Sequence, residues 1–192
     1  MGGDLGARPR EVHAKAEEVL AFWFDTLTPD QRFAKDDALD RMIHERFGPL
    51  RDLVLGSGAA GWRDDPGTLL AAIVLLDQFS RNMYRGRAEA FAGDVLAQEL
   101  ACLAIDRGWD GGLPDERRAF LYMPLMHAED PELQTLCLRR FGAIGDEENL
   151  QYARDHAEVV ARFGRFPSRN AALGRQSTAA EQAYLSRPGA GW

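Results

Sequence analysis

The chain has 192 residues, enough for a single domain that buries well over half of the surface its unfolded form exposes. Hydrophobic residues make up 45% and charged residues 28%, an ordinary globular balance that excludes a low-complexity or largely disordered chain. Lysine plus arginine number 23 against 30 aspartate plus glutamate, and the net charge of -7 argues against nucleic acid or an anionic membrane as partner, since both require a basic face.

Residues 1–12 are rich in glycine and arginine without periodicity and read as a disordered tail. One helical domain is expected over 13–186, then a loose C-terminal tail over 187–192. The opening MGGDLGARPREVH lacks the apolar core of a signal peptide, and Gly6 stands where a myristoylation signal has Ser or Thr, so a cytoplasmic location is expected. From Ala14 to Asp25, the positions of Val19, Leu20, Phe22, Trp23 and Phe24 predict a short helix with a heavy aromatic end. Thr28 and Pro29 open a brief turn through Phe33. A helix from Asp36 to Leu55 follows, and Pro49 is expected to kink or split it.

The stretch from Thr68 to Gly86 organises the rest. Leu69 to Leu76 is an unbroken apolar run, far short of the roughly 20 residues of a bilayer span. A helix apolar on all sides has no solvent face, so a buried central helix is predicted over about 66–85. Its second half carries Asp77, Gln78, Ser80, Arg81, Asn82 and Arg85 on the same rod. A buried helix that turns abruptly polar points at a site.

Further helices are predicted over 89–106, 115–127, 131–141, 146–163 and 178–185, the last opened by the T-x-x-E capping box of Thr178 and Glu181. Pro124 is placed to disrupt the last turn of its helix. Arg-Phe-Gly occurs at Arg46, Arg140 and Arg162, and reads each time as a helix stop. Cys102 and Cys137 lie among apolar residues and are expected to be buried, reduced thiols. No segment alternates with period two, so the class is all-α.

Polar groups fall where burial is expected. His156 shares a stripe with Tyr152, Val159, Val160 and Phe163, and His127 a face with Phe120 and Met123. Asp77 lies in line with Leu70 and Val74, with Arg81 one turn on. An unpaired buried polar group costs roughly 2–7 kcal/mol, so these must satisfy one another or a ligand. An internal ion-pair network is the plain alternative. Val159 to Ala180 carries Arg162, Arg165, Arg169 and Arg175 with no acid, a local reversal that suggests an anion site.

The segments LLDQFSRNMYRG, FLYMPLMHAED and RFGRFPSRNAALGRQST, in this order and with FWF near the start, resemble the bacterial family catalogued as domain of unknown function 924. The resemblance implies a tetratricopeptide-repeat-like array of antiparallel helices and carries no activity. Asp77, Arg81, Arg85, Tyr122, His127, Glu129, His156, Arg165, Arg169 and Asn170 all match its motifs. Ala128 stands where the family pattern has serine, and Ser168 where it has histidine.

Named chemistries fit less well. A nucleophilic triad of Ser80, a histidine and Asp77 lacks the strained exposed elbow such serines use. A metal site of His127, Glu129, His156 and Asp77 has ligand types without ligand spacing. RNA stacking on Phe163 and Phe166 would need exposed rings, and these are expected to be buried. The favoured expectation is an internal pocket for a small anionic molecule, with no cofactor and no metal. Arg81, Arg85, Arg165 and Arg169 would contact the anion, with Tyr122, Glu129 and Asn170 completing the ligand-binding set. His127 and His156 would donate or transfer a proton, and Asp77 would orient a partner. The alternative is a scaffold whose concave face binds a peptide or partner protein.

Overall fold

The structure is a computed structural model that describes residues 9–191. Among these residues every regular element is helical. Residues 1–8 of the expected N-terminal tail, and Trp192 of the C-terminal one, lie outside the described residues.

The first helix, α1, spans Pro9–Leu20 and so starts well before Ala14. Val12 and Ala16 are buried and continue the stripe of Val19, a spacing that the arginine- and glycine-rich composition obscures. A π-helical turn, Ala21–Thr26, then buries Phe22 and Trp23. Trp23 meets Phe79 and Phe120 edge-on, both at 5.5 Å between ring centres. A short helix, α2 (Pro29–Phe33), starts on a capping box made by Thr28 and Gln31. It delivers Arg32 to the end of the π turn, where the guanidinium donates to the carbonyls of Trp23, Phe24 and Leu27.

Helix α3 runs Asp37–Gly56 as one element, so Pro49 does not split it. One lost backbone hydrogen bond is outweighed by buried Ile43, Phe47 and Val54 on either side of the proline. Two of the three Arg-Phe-Gly triplets are likewise not stops. Gly48 lies within α3, and Gly142 within α8 (Pro131–Ile144). Phe47 and Phe141 are core anchors whose burial exceeds the helical cost of glycine, about 1 kcal/mol. Only Gly164 ends its helix, in the left-handed conformation at φ 68°.

The central rod consists of α4 (Pro66–Ile73), a π-helical turn (Val74–Phe79) and α5 (Ser80–Met83). Asp65 caps it through the amides of Gly67 and Thr68. Residues 68–80 are buried without exception. Helix α1 packs on α4, and α3 lies along the π turn and α5. Helices α6 (Asp94–Asp106) and α7 (Asp115–Met126) cover other sides, and Pro124 leaves α7 intact to Met126. From α7 outward, α8 and α9 (Glu147–Phe163) pack each on its predecessor. A last helix, α10 (Ala179–Leu185), rests against the turn at Pro167–Arg169. The gathering around α4 is more radial than the neighbour-only stacking of helical repeats.

The expected helix over 89–106 divides. A 3-10 turn covers Ala88–Phe91, and α6 begins at Asp94. Gly93 sits against the rod so closely that a Cβ there would lie 2.8 Å from the Leu76 carbonyl oxygen. Only glycine permits that approach, which brings Asp94 beside the polar half of the rod.

Candidate functional site

The polar half of the rod is where the expected site residues meet. The π turn carries Asp77, which is 0% exposed. His127 caps the end of α7, and His156 is buried midway along α9. Gly164 turns the chain back, so that Arg169 arrives on the 3-10 turn Pro167–Arg169. A π turn leaves carbonyls out of the regular ladder, and side chains meet two of them here. Ser80 Oγ donates to the Leu75 carbonyl at 3.3 Å, and Arg81 Nη1 to the Asp77 carbonyl at 2.8 Å.

Asp94 is the hub of the cations. Arg81 donates to both of its carboxylate oxygens, at 3.0 and 3.1 Å, and Arg169 donates to one of them at 3.1 Å. A second N–H of Arg169 reaches the His127 carbonyl at 2.9 Å. The Arg169 guanidinium lies between two rings, 4.8 Å from the centre of Phe91 and 4.5 Å from that of Phe166. Hydrogen bonds and rings together fix its plane.

The imidazoles are fixed too. His127 Nδ1 lies 2.8 and 3.0 Å from the two oxygens of Asp77. His156 Nδ1 lies 2.7 Å from the Tyr152 carbonyl oxygen. A carboxylate or carbonyl can only accept, so each Nδ1 carries its proton. The two rings are 6.0 Å apart.

Burial opposes ionisation of Asp77, but Arg81 and His127 outweigh it and hold the carboxyl below its ordinary range. His127 is lowered by burial and by Arg81, which together exceed the pull of Asp77. Burial, with His127 next, pushes His156 down to about 3. Both rings are therefore neutral at physiological pH. Burial and the neighbouring Arg81 lower Arg169 to about 10, which leaves it charged.

These groups border a cleft of about 450 Å³. Arg81, Arg85, Arg169 and Lys35 line it, as do both histidines, and none of the lining residues is acidic. Phe91 and Phe166 form its apolar part. Arg85 is held to Asp40, one contact being 3.0 Å, while Lys35 has no carboxylate partner among the described residues.

The structure places the other expected residues elsewhere. Arg165 points to Glu181, at 2.7 and 2.9 Å, and does not line the cleft. Tyr122 donates to Asp110 at 2.6 Å, under α7. Glu129 accepts from Arg175 at 2.6 and 2.8 Å and from the Phe166 amide at 2.8 Å. It braces the loop that carries Arg169 from behind. Asn170 donates to Ser177 Oγ at 3.0 Å within the same loop. Ala128 is fully buried, whereas Ser168 lines the cleft. Phe166 is buried, and Phe163 packs against Tyr184. With Glu129 turned away, His127, His156 and Asp77 form no three-ligand cage, and no such cluster occurs among the described residues.

Asp94, Phe91 and Lys35 escape a reading of the sequence. A helix starting at Glu89 makes Asp94 an ordinary interior helical position. The signal is Gly93, unfavourable inside a helix and better placed just before one.

The model of the family described as bacterial protein of unknown function (DUF924) matches residues 19–189. A solved structure titled as a protein of unknown function, ATU0120 from Agrobacterium tumefaciens, is similar to this chain at 38% identity and a TM-score of 0.86. The similarity covers 91% of this chain and 98% of that one. No curated protein matches.

Proposed function

The chain belongs to the DUF924 family of bacterial proteins, and from the geometry of its cleft we propose that it binds a small anionic molecule, a carboxylate or a phosphate, beside an Asp–His pair suited to acid–base chemistry. The carrying observation is that four cationic side chains and no acid line one cleft, in a chain of net charge -7.

The arginines are oriented without being saturated. A guanidinium has five N–H groups, of which Arg81 gives three to the Asp77 carbonyl and Asp94, its Nη1 also lying 2.9 Å from the Asp77 carboxylate, and Arg169 gives two to Asp94 and the His127 carbonyl. The remaining donors sit on groups already held in place, which reduces the ordering cost of binding. Asp77 and Asp94 offset part of the charge, while Lys35 and Arg85 at the rim favour anions on approach. His127, oriented through Nδ1 by an ionised carboxylate, is arranged as a general base is.

Thermal unfolding with inorganic phosphate and with propionate tests this. An anion at 100 times its Kd stabilises by about 2.7 kcal/mol, a rise of roughly 5–10 °C for a chain of this size. At least one anion should give such a rise, and Arg169→Met should remove it. No rise with either, or an equal rise in the variant, would overturn the reading.

A second reading has one observation in its favour. Phe33 is 65% exposed and stacks on Phe120 beside a separate groove that includes Met123 and Ile144, a surface that suits an amphipathic partner helix. Phe33→Glu would abolish such binding and leave the anion response intact.

A further inference from the structure

We propose that the anion taken by this cleft carries its own hydrogen-bond donor, an O–H beside the charge, and that His127 Nε2 accepts it. This rests on the anion-binding reading above and names the ligand more closely. It follows from which atom of His127 is committed. Asp77 is ionised, can only accept, and has both oxygens within 3.0 Å of Nδ1, so the ring proton is on that atom. In the neutral ring Nε2 then carries a lone pair. Asp77 lies fully buried behind the ring, and the His127 side chain retains 16% exposure, so the edge open to the cleft is the one opposite Nδ1.

A fully deprotonated oxygen placed there would set lone pair against lone pair. An O–H satisfies both sides. The histidine could instead escape the conflict by taking up a proton, but burial and the adjacent Arg81, with Arg169, outweigh the pull of Asp77 toward a charged ring. An acceptor imidazole beside oriented guanidiniums describes a site for a protonated phosphate group or a 2-hydroxy carboxylate. It is a poor match for a bare oxyanion.

Phosphate and sulfate separate these cases cleanly. In mildly alkaline buffer both are tetrahedral dianions of similar size, and only phosphate retains an O–H. Lactate and propionate form the matching carboxylate pair, with equal charge and one hydroxyl between them. Titration calorimetry on the wild-type chain should show phosphate tighter than sulfate, or lactate tighter than propionate, by at least about tenfold, the scale of one unmade hydrogen bond. The pair that shows the preference identifies which source of the shared chemistry the site takes. His127→Phe should level the preference while retaining anion binding. Because the wild-type comparison needs no variant, a folding defect in His127→Phe would leave that test intact. Equal affinity within each bound pair would overturn this inference and leave the anion site standing. Binding of none of the four would overturn the anion site itself.

Discussion

The described residues contain two π-helical turns, at Ala21–Thr26 and at Val74–Phe79, and they are closed in opposite ways. At the first, Arg32 gives three N–H groups to the carbonyls of Trp23, Phe24 and Leu27 and a fourth to Glu116. Aromatic rings surround it and its side chain is 4% exposed. At the second, Arg81 closes one carbonyl and shares Asp94 with Arg169, and both guanidiniums keep donors toward an open cleft. A buried arginine is a structural clamp when most of its donors go to backbone, and a candidate ligand group when donors remain beside a cleft.

That contrast can be broken most directly by removing each charge while retaining bulk. Arg32→Met leaves two buried carbonyls and a partly buried third without donors and is expected to cost about 3–5 kcal/mol in urea unfolding. Arg169→Met leaves Asp94 paired with Arg81 and orphans only the His127 carbonyl, so its cost should stay at about 1–2 kcal/mol while the anion response disappears. Equal losses of stability would mean that both arginines are structural and that the cleft is incidental.

Gly93→Ala probes how the second turn is held. Its Cβ would meet the Leu76 carbonyl oxygen at 2.8 Å, and backbone cannot swing aside as a side chain can. Overpacking of this kind costs about 1–3 kcal/mol. Moving α6 outward would also carry Asp94 away from Arg81 and Arg169, so both stability and anion binding should fall. An Arg169 guanidinium that still bound phosphate normally in this variant would show that Asp94 does not set its position.

How far the sequence reveals the two regions differs for physical reasons. Eight apolar residues in a row, Leu69 to Leu76, leave no solvent face, so the buried rod is legible at once. Asp77, His127 and His156 are legible as polar groups on apolar stripes, because burial demands a partner. What periodicity cannot show is a side chain's direction at the end of an element. Arg165 and Arg169 share one basic run, yet the turn after Gly164 sends one to Glu181 and the other to Asp94. The π turns are equally hidden, since a one-residue widening leaves the apolar pattern intact. Glu129 and Asn170 match a family motif and brace the Arg169 loop, because a motif records which residues recur together and not which of them face the cleft.

The neutral histidines give the second region a pH signature that the Arg32 region lacks. Both lie below the ordinary value of 6.5 when folded, so the unfolded chain binds more protons below that pH. Stability is therefore complete above about pH 6.5 and falls as the pH drops toward 3, the value for His156. The slope approaches about 1.4 kcal/mol per pH unit for His156, and His127 adds to it in the same direction. Asp77 adds to the loss only below its ordinary 3.8. Urea midpoints measured from pH 7 down to about 5 should show the fall, and His156→Gln should flatten it. A flat profile in the wild-type chain would mean that the rings are not held neutral in the fold.

The smallest effect on binding is expected at Arg165, and it bears on the two regions through its neighbour. Arg165 and Arg169 stand one helical turn apart in sequence, but Arg165 gives its donors to Glu181 and the Gln176 carbonyl, at the side of the loop away from the cleft. Arg165→Gln keeps a donor for the Gln176 carbonyl and removes the charge. Phosphate titration of this variant should match the wild-type chain within error, even though the buried Glu181 carboxylate loses its cation and thermal stability falls. If Arg165→Gln weakened binding as much as Arg169→Met, the anion would be answering to the net charge of the whole basic loop, and the oriented donors at Asp94 would lose their claim to be the site.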